Sequence, residues 1–238
     1  MAGDKFIESN YEKALIALFQ ELGYTYECGY DVERDYRESF YREVLEASLK
    51  RLNEGVSADI LAEGLKMVTN LNEGTLIQDN RRFTEMLQNG FAVPYLENGE
   101  NRTATLRLVD FEQPLANDFR IVNQWSVEEL GKIRCDMVVM INGLPLVVVE
   151  LKTASDENVT IEDAYLQIRN YMKKCPSLFG YNAFCVISDL AQSKAGTITS
   201  KFERFMEWKS EDGNYETKLI ADYATFFKGM FMRERLID

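Results

Sequence analysis

Apolar positions in the first ninety residues recur every three or four places, which is the helical period. Residues 8–22 carry Ala14, Leu15, Leu18, Phe19 and Leu22 on one face, and Gly23 stops the run. The same spacing predicts helices over 39–52, ended near Gly55, over 57–70 with Ser57 as cap, and over 75–89, ended at Gly90. From about residue 104 the period changes to two. "TLRLVDF" and "FRIVNQWSV" read as strands separated by a loop containing Pro114. "CDMVVMINGLPLVVVELK" follows, two Val-rich runs flanking Asn142-Gly143, the signature of a hairpin. Both runs are apolar on both faces, so the hairpin is expected at the centre of a covered sheet. A helix is predicted over 161–175, with Thr160 as N-cap and Asp163 three residues on as an Asp version of the capping box. "AFCVISDL" is a further buried strand, then a short extended piece near 196–199 and helices near 201–209 and 217–234. The layout is one domain: a mainly helical annex over 1–100, which includes the first core helix, leading into an α/β core over 101–238.

Composition narrows the chemistry. The 238 residues are 46% hydrophobic and 28% charged, ordinary for a folded protein that needs no covalent staple. There is no histidine. That excludes Ser-His-Asp and Cys-His catalysis and His-ligated metal centres, and leaves carboxylates, Lys, Tyr, Ser or Cys, with a hard metal on oxygen ligands. None of the four cysteines lies in a C-x-x-C pair, so they read as reduced thiols of a cytoplasmic protein. No signal peptide opens the chain, and no apolar run is long enough to span a membrane. The net charge of −12 argues against tight autonomous binding of nucleic acid, which needs Lys and Arg at phosphates. The acidity is densest between residues 27 and 63, with ten Asp/Glu against five Lys/Arg.

Within the apolar hairpin three polar residues stand at strand ends: Asp136, Glu150 and Lys152. Charged strand ends meeting solvent would explain them. Against that, "VVVELK" puts a carboxylate directly after an interior apolar run, where charge is expensive unless paired or metal-bound. Glu150 and Lys152, two apart, share a strand face. Register is the sharper test. A strict two-residue Asn142-Gly143 loop would pair Ile141 with Leu144 and hence Asp136 with Val149, turning the carboxylates to opposite faces. A three- or five-residue loop, or a bulge, sets Asp136 opposite Glu150, and this is the expected arrangement, with Gly143 supplying a positive φ. Two facing carboxylates beside a Lys suit phosphodiester hydrolysis. They would hold Mg²⁺, which polarises the phosphate and activates water, while Lys152 orients that water or stabilises developing charge.

Asp136 followed by Glu150-Leu151-Lys152 resembles the PD-(D/E)xK nuclease signature. The flanking "INGLPLVVVELK", "AYLQIRNY", "PSLFGYNAFCVISD" and "GTITSKFERFMEWK" resemble the N-terminal nuclease domain of the restriction (motor) subunit of type I restriction–modification enzymes, and "YEKALIALFQELGY" resembles its opening helix. The resemblance covers residues 100–238 well. It implies a PD-(D/E)xK fold, a central mixed sheet flanked by helices. It also implies Asp136 and Glu150 as metal ligands and Lys152 as the catalytic Lys. Gln167 and Tyr171 match the family's Q-x-x-x-Y element, whose spacing puts both on one helix face. A DNA- or water-positioning role and a plain helix–sheet hydrogen bond with a buried Tyr both remain open for that pair. Glu12 matches a carboxylate that such folds bring from the first helix as a further ligand; a solvated helix residue is the competing reading. Two departures stand out: Cys135 replaces the usual Pro, and Thr153-Ala154 replaces the Asn-Pro that commonly follows "ELK".

Residues 165–209 hold Arg169, Lys173, Lys174, Lys194, Lys201, Arg204 and Lys209 against Asp189, Glu203 and Glu207, a surplus of four positive charges. Arg169, Lys173, Lys174, Lys194, Lys201 and Arg204 are candidates for a strip facing double-stranded DNA; an ordinary solvated face is the alternative. In the family this domain is fused to two helicase-like ATPase domains, and separate subunits supply sequence recognition and methylation. No P-loop occurs here, so ATP would be bound only by the full-length subunit. The chain stops at "RERLID", about where the family enters the motor, so a fragment of a longer subunit is expected. Two other functions compete: a non-catalytic docking module of the same fold, and a stand-alone RecB-like repair nuclease.

Overall fold

The Val-rich runs form the middle of a six-stranded mixed sheet. The computed structural model describes residues 2–72, 74–152, 160–189, 191–212 and 223–238. The chain runs through α1 (Ala2–Glu21), β1 (Thr25–Cys28), α2 (Arg42–Leu52), α3 (Ala58–Thr69), α4 (Leu76–Asn89), β2 (Phe91–Glu97) and β3 (Glu100–Leu106). Then come β4 (Phe119–Glu128), β5 (Lys132–Ile141), β6 (Leu144–Leu151), α5 (Ile161–Lys174), α6 (Pro176–Gly180), β7 (Phe184–Ser188), β8 (Ser193–Gly196), α7 (Tyr223–Phe231) and α8 (Arg233–Ile237). The main sheet has the order β1-β4-β5-β6-β7-β8, and β2 pairs with β3 apart from it. Every residue of β6 is buried, as expected of a strand covered on both faces. β6 and β7 run parallel, so the chain must cross over between them, and α5 and α6 make that crossover.

Each sheet face has its own cluster. On one, Leu15 and Phe19 of α1, Leu45 of α2, Phe83 of α4 and Phe226 and Phe227 of α7 pack with Ile121, Val139, Val147 and Val149. On the other, Ile168, Tyr171 and Met172 of α5 and Phe179 of α6 cover Val138, Val148 and Ile187. Asp163 accepts the Thr160 backbone N–H at 2.8 Å, which closes the expected capping box at the start of α5. Cys135, Cys175 and Cys185 are buried and all four cysteines are free thiols. Among the described residues no helix is long and apolar enough to cross a membrane.

Several elements depart from expectation. The region read as a mainly helical annex contains β1, which joins the main sheet beside β4. The "TLRLVDF" strand ends at Leu106 and belongs to the separate β2–β3 hairpin, leaving Leu108 and Val109 buried in a loop. No α-helix forms over 201–209. A short 3₁₀ turn spans Phe202–Arg204, and Met206 exchanges backbone hydrogen bonds of 2.9 Å with Ala195. The edge of β8 satisfies that backbone, so helix propensity loses to tertiary pairing. The last helix is interrupted at Met232 into α7 and α8, and its expected start at 217 lies outside the described residues.

Candidate active site

The hairpin turn is the strict two-residue one, pairing Ile141 with Leu144, rather than a longer loop. Asn142 (φ 52°) and Gly143 (φ 81°) both take left-handed conformations, which a tight primed turn requires. The register shifts one step later: Met140 pairs with Pro145, but Val139 pairs with Val147. The extra residue is a β-bulge in β6, the second device by which the carboxylates could be brought together. Beyond it the pairing runs out to Met137 opposite Val149, which brings the adjoining Asp136 and Glu150 to neighbouring strand ends.

Asp136 accepts the Leu151 backbone N–H at 2.8 Å, which ties its carboxylate to the end of β6. Lys152 lies just past β6; its backbone N–H donates to Ser188 O at 2.8 Å and its Nζ to Glu150 Oε1 at 2.9 Å. Glu150 is fully buried, and its Oε2 has no hydrogen-bond partner among the described residues. Burial, then the neighbouring Asp136 charge, push the Glu150 carboxyl well above the ordinary range, and Lys152 offsets part of this. A buried carboxylate oxygen with no donor is costly, and either a proton shared with Asp136 or a hard cation would satisfy it. Among the described residues no three His, Cys, Asp or Glu side chains form a metal-sized group. Asp136 and Glu150 are thus the carboxylates that the described residues could offer a cation here.

From α5, Gln167 Nε2 donates to Tyr171 OH at 2.6 Å, and Tyr171 OH donates to Arg134 O at 2.8 Å. The pair thus makes the helix–sheet bond, two residues before Asp136, and both side chains also face the open cleft. Burial, then the Glu150 charge, raise the Tyr171 hydroxyl, so it stays a proton donor. Glu12 on α1 accepts from Asn123 and from Gln124 Nε2, the latter at 3.1 Å. Gln124 falls between the Asn123–Met137 and Trp125–Cys135 pairs, across from Asp136, so Glu12 reaches the strand beside the site.

In front of Asp136 opens a cleft of about 660 Å³ lined by Tyr30, Tyr36, Ser126, Lys132, Ile133, Arg134, Asp136, Lys152, Gln167 and Tyr171. None of the six expected DNA-strip residues lines it. Arg169 donates to Ile198 O at 2.6 Å, and Lys194 sits 5.6 Å from the Phe202 ring centre. Lys173 and Lys174 end α5, and Lys201 and Arg204 are exposed at the 3₁₀ turn. Lys132, Arg134, Tyr30 and Tyr36 were not anticipated. "KIRCD" did carry a signal, since Lys132, Arg134 and Asp136 alternate with buried residues at the strand period.

A family model described as type I restriction enzyme R protein N terminus matches residues 5–204. A Methanocaldococcus jannaschii protein provisionally named the MjaIXP endonuclease subunit of a type I restriction enzyme is 33% identical over 95% of this chain and 24% of its own length. The type I restriction enzyme HindI endonuclease subunit of Haemophilus influenzae is 31% identical over 97% of this chain and 23% of its own length. The chain thus spans about a quarter of these relatives. With the facing carboxylates, the adjacent Lys and a match over most of its length, the chain belongs to the type I restriction enzyme R protein N-terminal family.

Proposed function

We propose that this chain is the Mg²⁺-dependent endonuclease part of a type I restriction enzyme R subunit, hydrolysing phosphodiester bonds of double-stranded DNA in the cytoplasm. The observation that carries this is Glu150, wholly buried beside Asp136, with one oxygen bonded to Lys152 at 2.9 Å and the other without a donor among the described residues. Asp136 and Glu150 would hold the ion, which when bound polarises the scissile phosphate. Asp136 is fixed by the Leu151 N–H, so its carboxylate is pre-oriented. Lys152 reaches the cleft with its ammonium already beside Glu150, where it offers positive charge to a phosphate oxygen. Gln167 and Tyr171 fix the β5 backbone through Arg134 O and so hold Asp136 in place. DNA translocation by ATP-driven motor domains, and target recognition and methylation by further subunits, would come from outside this chain.

The test restores the domain to its full subunit with those partners and measures cleavage in Mg²⁺ and ATP. Asp136→Ala and Lys152→Ala are expected to abolish cutting, about 100-fold or more, while ATP hydrolysis continues. Variants that cut like the wild type sink the site assignment. If the wild type hydrolyses ATP without cutting, the domain is a docking module. The isolated chain should cleave little and bind Mg²⁺ weakly, and Asp136→Ala should remove that binding.

A further inference from the structure

Among the described residues the charged lining of the cleft is Lys132, Arg134, Lys152 and Asp136. Lys152 is paired with the buried Glu150, so the wall away from the carboxylates carries two cations, Lys132 and Arg134, in a protein of net charge −12. A positive concavity in an acidic protein is where an anionic ligand concentrates, because low-dielectric walls focus the field. Lys132 and Arg134 are exposed and lie four and two residues before Asp136 on β5. Two residues along a strand is roughly 7 Å, so successive cations can meet successive phosphates.

A strap over residues 29–41 completes the wall. Gly29 N donates to Asn123 O, and Glu128 N donates to Tyr36 O, each at 2.8 Å. Trp125 Nε1 donates to Ser39 O at 3.1 Å, and Tyr41 N donates to Gly143 O at 2.8 Å. Arg34 lies at its middle with its guanidinium 3.3 Å from the Trp125 ring centre, donating to Ser126 O and to Glu38 O. Burial pulls Arg34 down to about 10, still charged at neutral pH. The strap so fixed presents Tyr30 and Tyr36, 56% and 37% exposed, beside the two cations. Arg134 donates to Tyr30 OH, and Lys132 Nζ stands 5.5 Å from the Tyr36 ring centre.

We infer that Lys132 and Arg134, backed by Tyr30 and Tyr36, grip the sugar–phosphate backbone of DNA next to the bond to be cut, without regard to base sequence. The inference rests on the nuclease reading for the identity of the ligand, and it assigns the grip to this wall rather than to the strip over 165–209.

The experiment titrates the chain into two fluorescent duplexes of unrelated sequence, in metal-free buffer of low ionic strength, and follows anisotropy as salt is raised. The double variant Lys132→Ala/Arg134→Ala is expected to weaken binding about tenfold or more for both duplexes and to reduce the log–log salt slope by about two. Tyr30→Ala/Tyr36→Ala should weaken it several-fold, and Lys173→Ala/Lys174→Ala should leave it near wild type. Matching thermal transitions confirm that the variants fold. The inference is overturned if the double lysine–arginine variant binds like the wild type, or if the wild type binds neither duplex at low salt. Asp136→Ala separates the two readings. It removes a negative charge from the cleft, so it should bind DNA at least as well as the wild type while failing to cut. A wall that binds in front of a site that never cuts would sink the nuclease reading alone.

Discussion

Glu150 sets burial against charge. Its side chain is fully buried, and among the described residues only one of its oxygens meets a donor, the Lys152 ammonium. Because burial and then Asp136 raise its folded pKa above the unfolded value, the native state binds a proton that the unfolded chain has already released. Across the window between the ordinary carboxyl range and that raised value, this group's contribution to stability falls as pH rises. Metal-free protein should therefore gain stability as pH falls through that window, with the gain complete below the ordinary carboxyl range. Glu150→Gln keeps the shape and an acceptor for Lys152 but removes the charge. It should raise the stability of the metal-free protein at neutral pH by roughly 1–3 kcal/mol, at about 2–4 °C of Tm per kcal/mol, with the difference vanishing at acid pH. Differential scanning calorimetry across pH measures this, and an amide variant less stable than wild type at neutral pH refutes it. Added Mg²⁺ should raise the wild-type Tm and leave that of Glu150→Gln unmoved.

The β5–β6 hairpin places both carboxylates, and its turn is locked from outside. Asn142 Oδ1 accepts from Asp118 N at 2.8 Å and from Arg51 Nη2 at 3.0 Å, and its Nδ2 donates to Leu108 O and Asn117 Oδ1. A Cβ at Gly143 would lie 2.5 Å from Leu45 N and 2.7 Å from Tyr41 O, so α2 rests directly on the turn. Gly143→Ala combines that clash with a left-handed φ and should cost at least about 1–3 kcal/mol, read as a lower midpoint in urea unfolding. The hairpin was legible from Val-rich runs around Asn-Gly, and the need for the two carboxylates to meet foretold an irregularity. Its position was not legible, because Leu146 is one apolar residue among many and only the pairing with β5 makes it the extra one. Likewise "KFERFMEWK" has helical composition, yet Met206 pairs with the edge of β8 instead. The cleft's strap was invisible for a related reason: residues 29–41 have no periodicity, and their place is set by bonds to strand ends far along the chain.

At the scale of the molecule, the first hundred residues share a core with the sheet that holds Asp136 and Glu150. Leu15 and Phe19 of α1, Leu45 of α2, Val68 of α3 and Phe83 and Met86 of α4 belong to one cluster with Ile121, Val139, Val147 and Val149 of the central strands. Four parallel pairs with β1 also cover the outer edge of β4. Removing residues 1–103 would strip the α1 to α4 cover from one face of the sheet, leaving α7 there, and leave β4 as an open edge, a template for aggregation. It would also remove the strap and with it Tyr30 and Tyr36 from the cleft. A fragment of residues 104–238 keeps Asp136, Glu150, Lys152, Gln167 and Tyr171, but it is expected to lack a cooperative melt, whereas the whole chain should unfold in one transition. Circular dichroism on heating, with dye binding to report exposed apolar surface, distinguishes the two. If the fragment melts cooperatively and binds no dye, the helices are a true annex and the site can be studied without them. If it does not, α1 to α4 are part of the same core, and substitutions that loosen their packing will reach Asp136 and Glu150 through the strands.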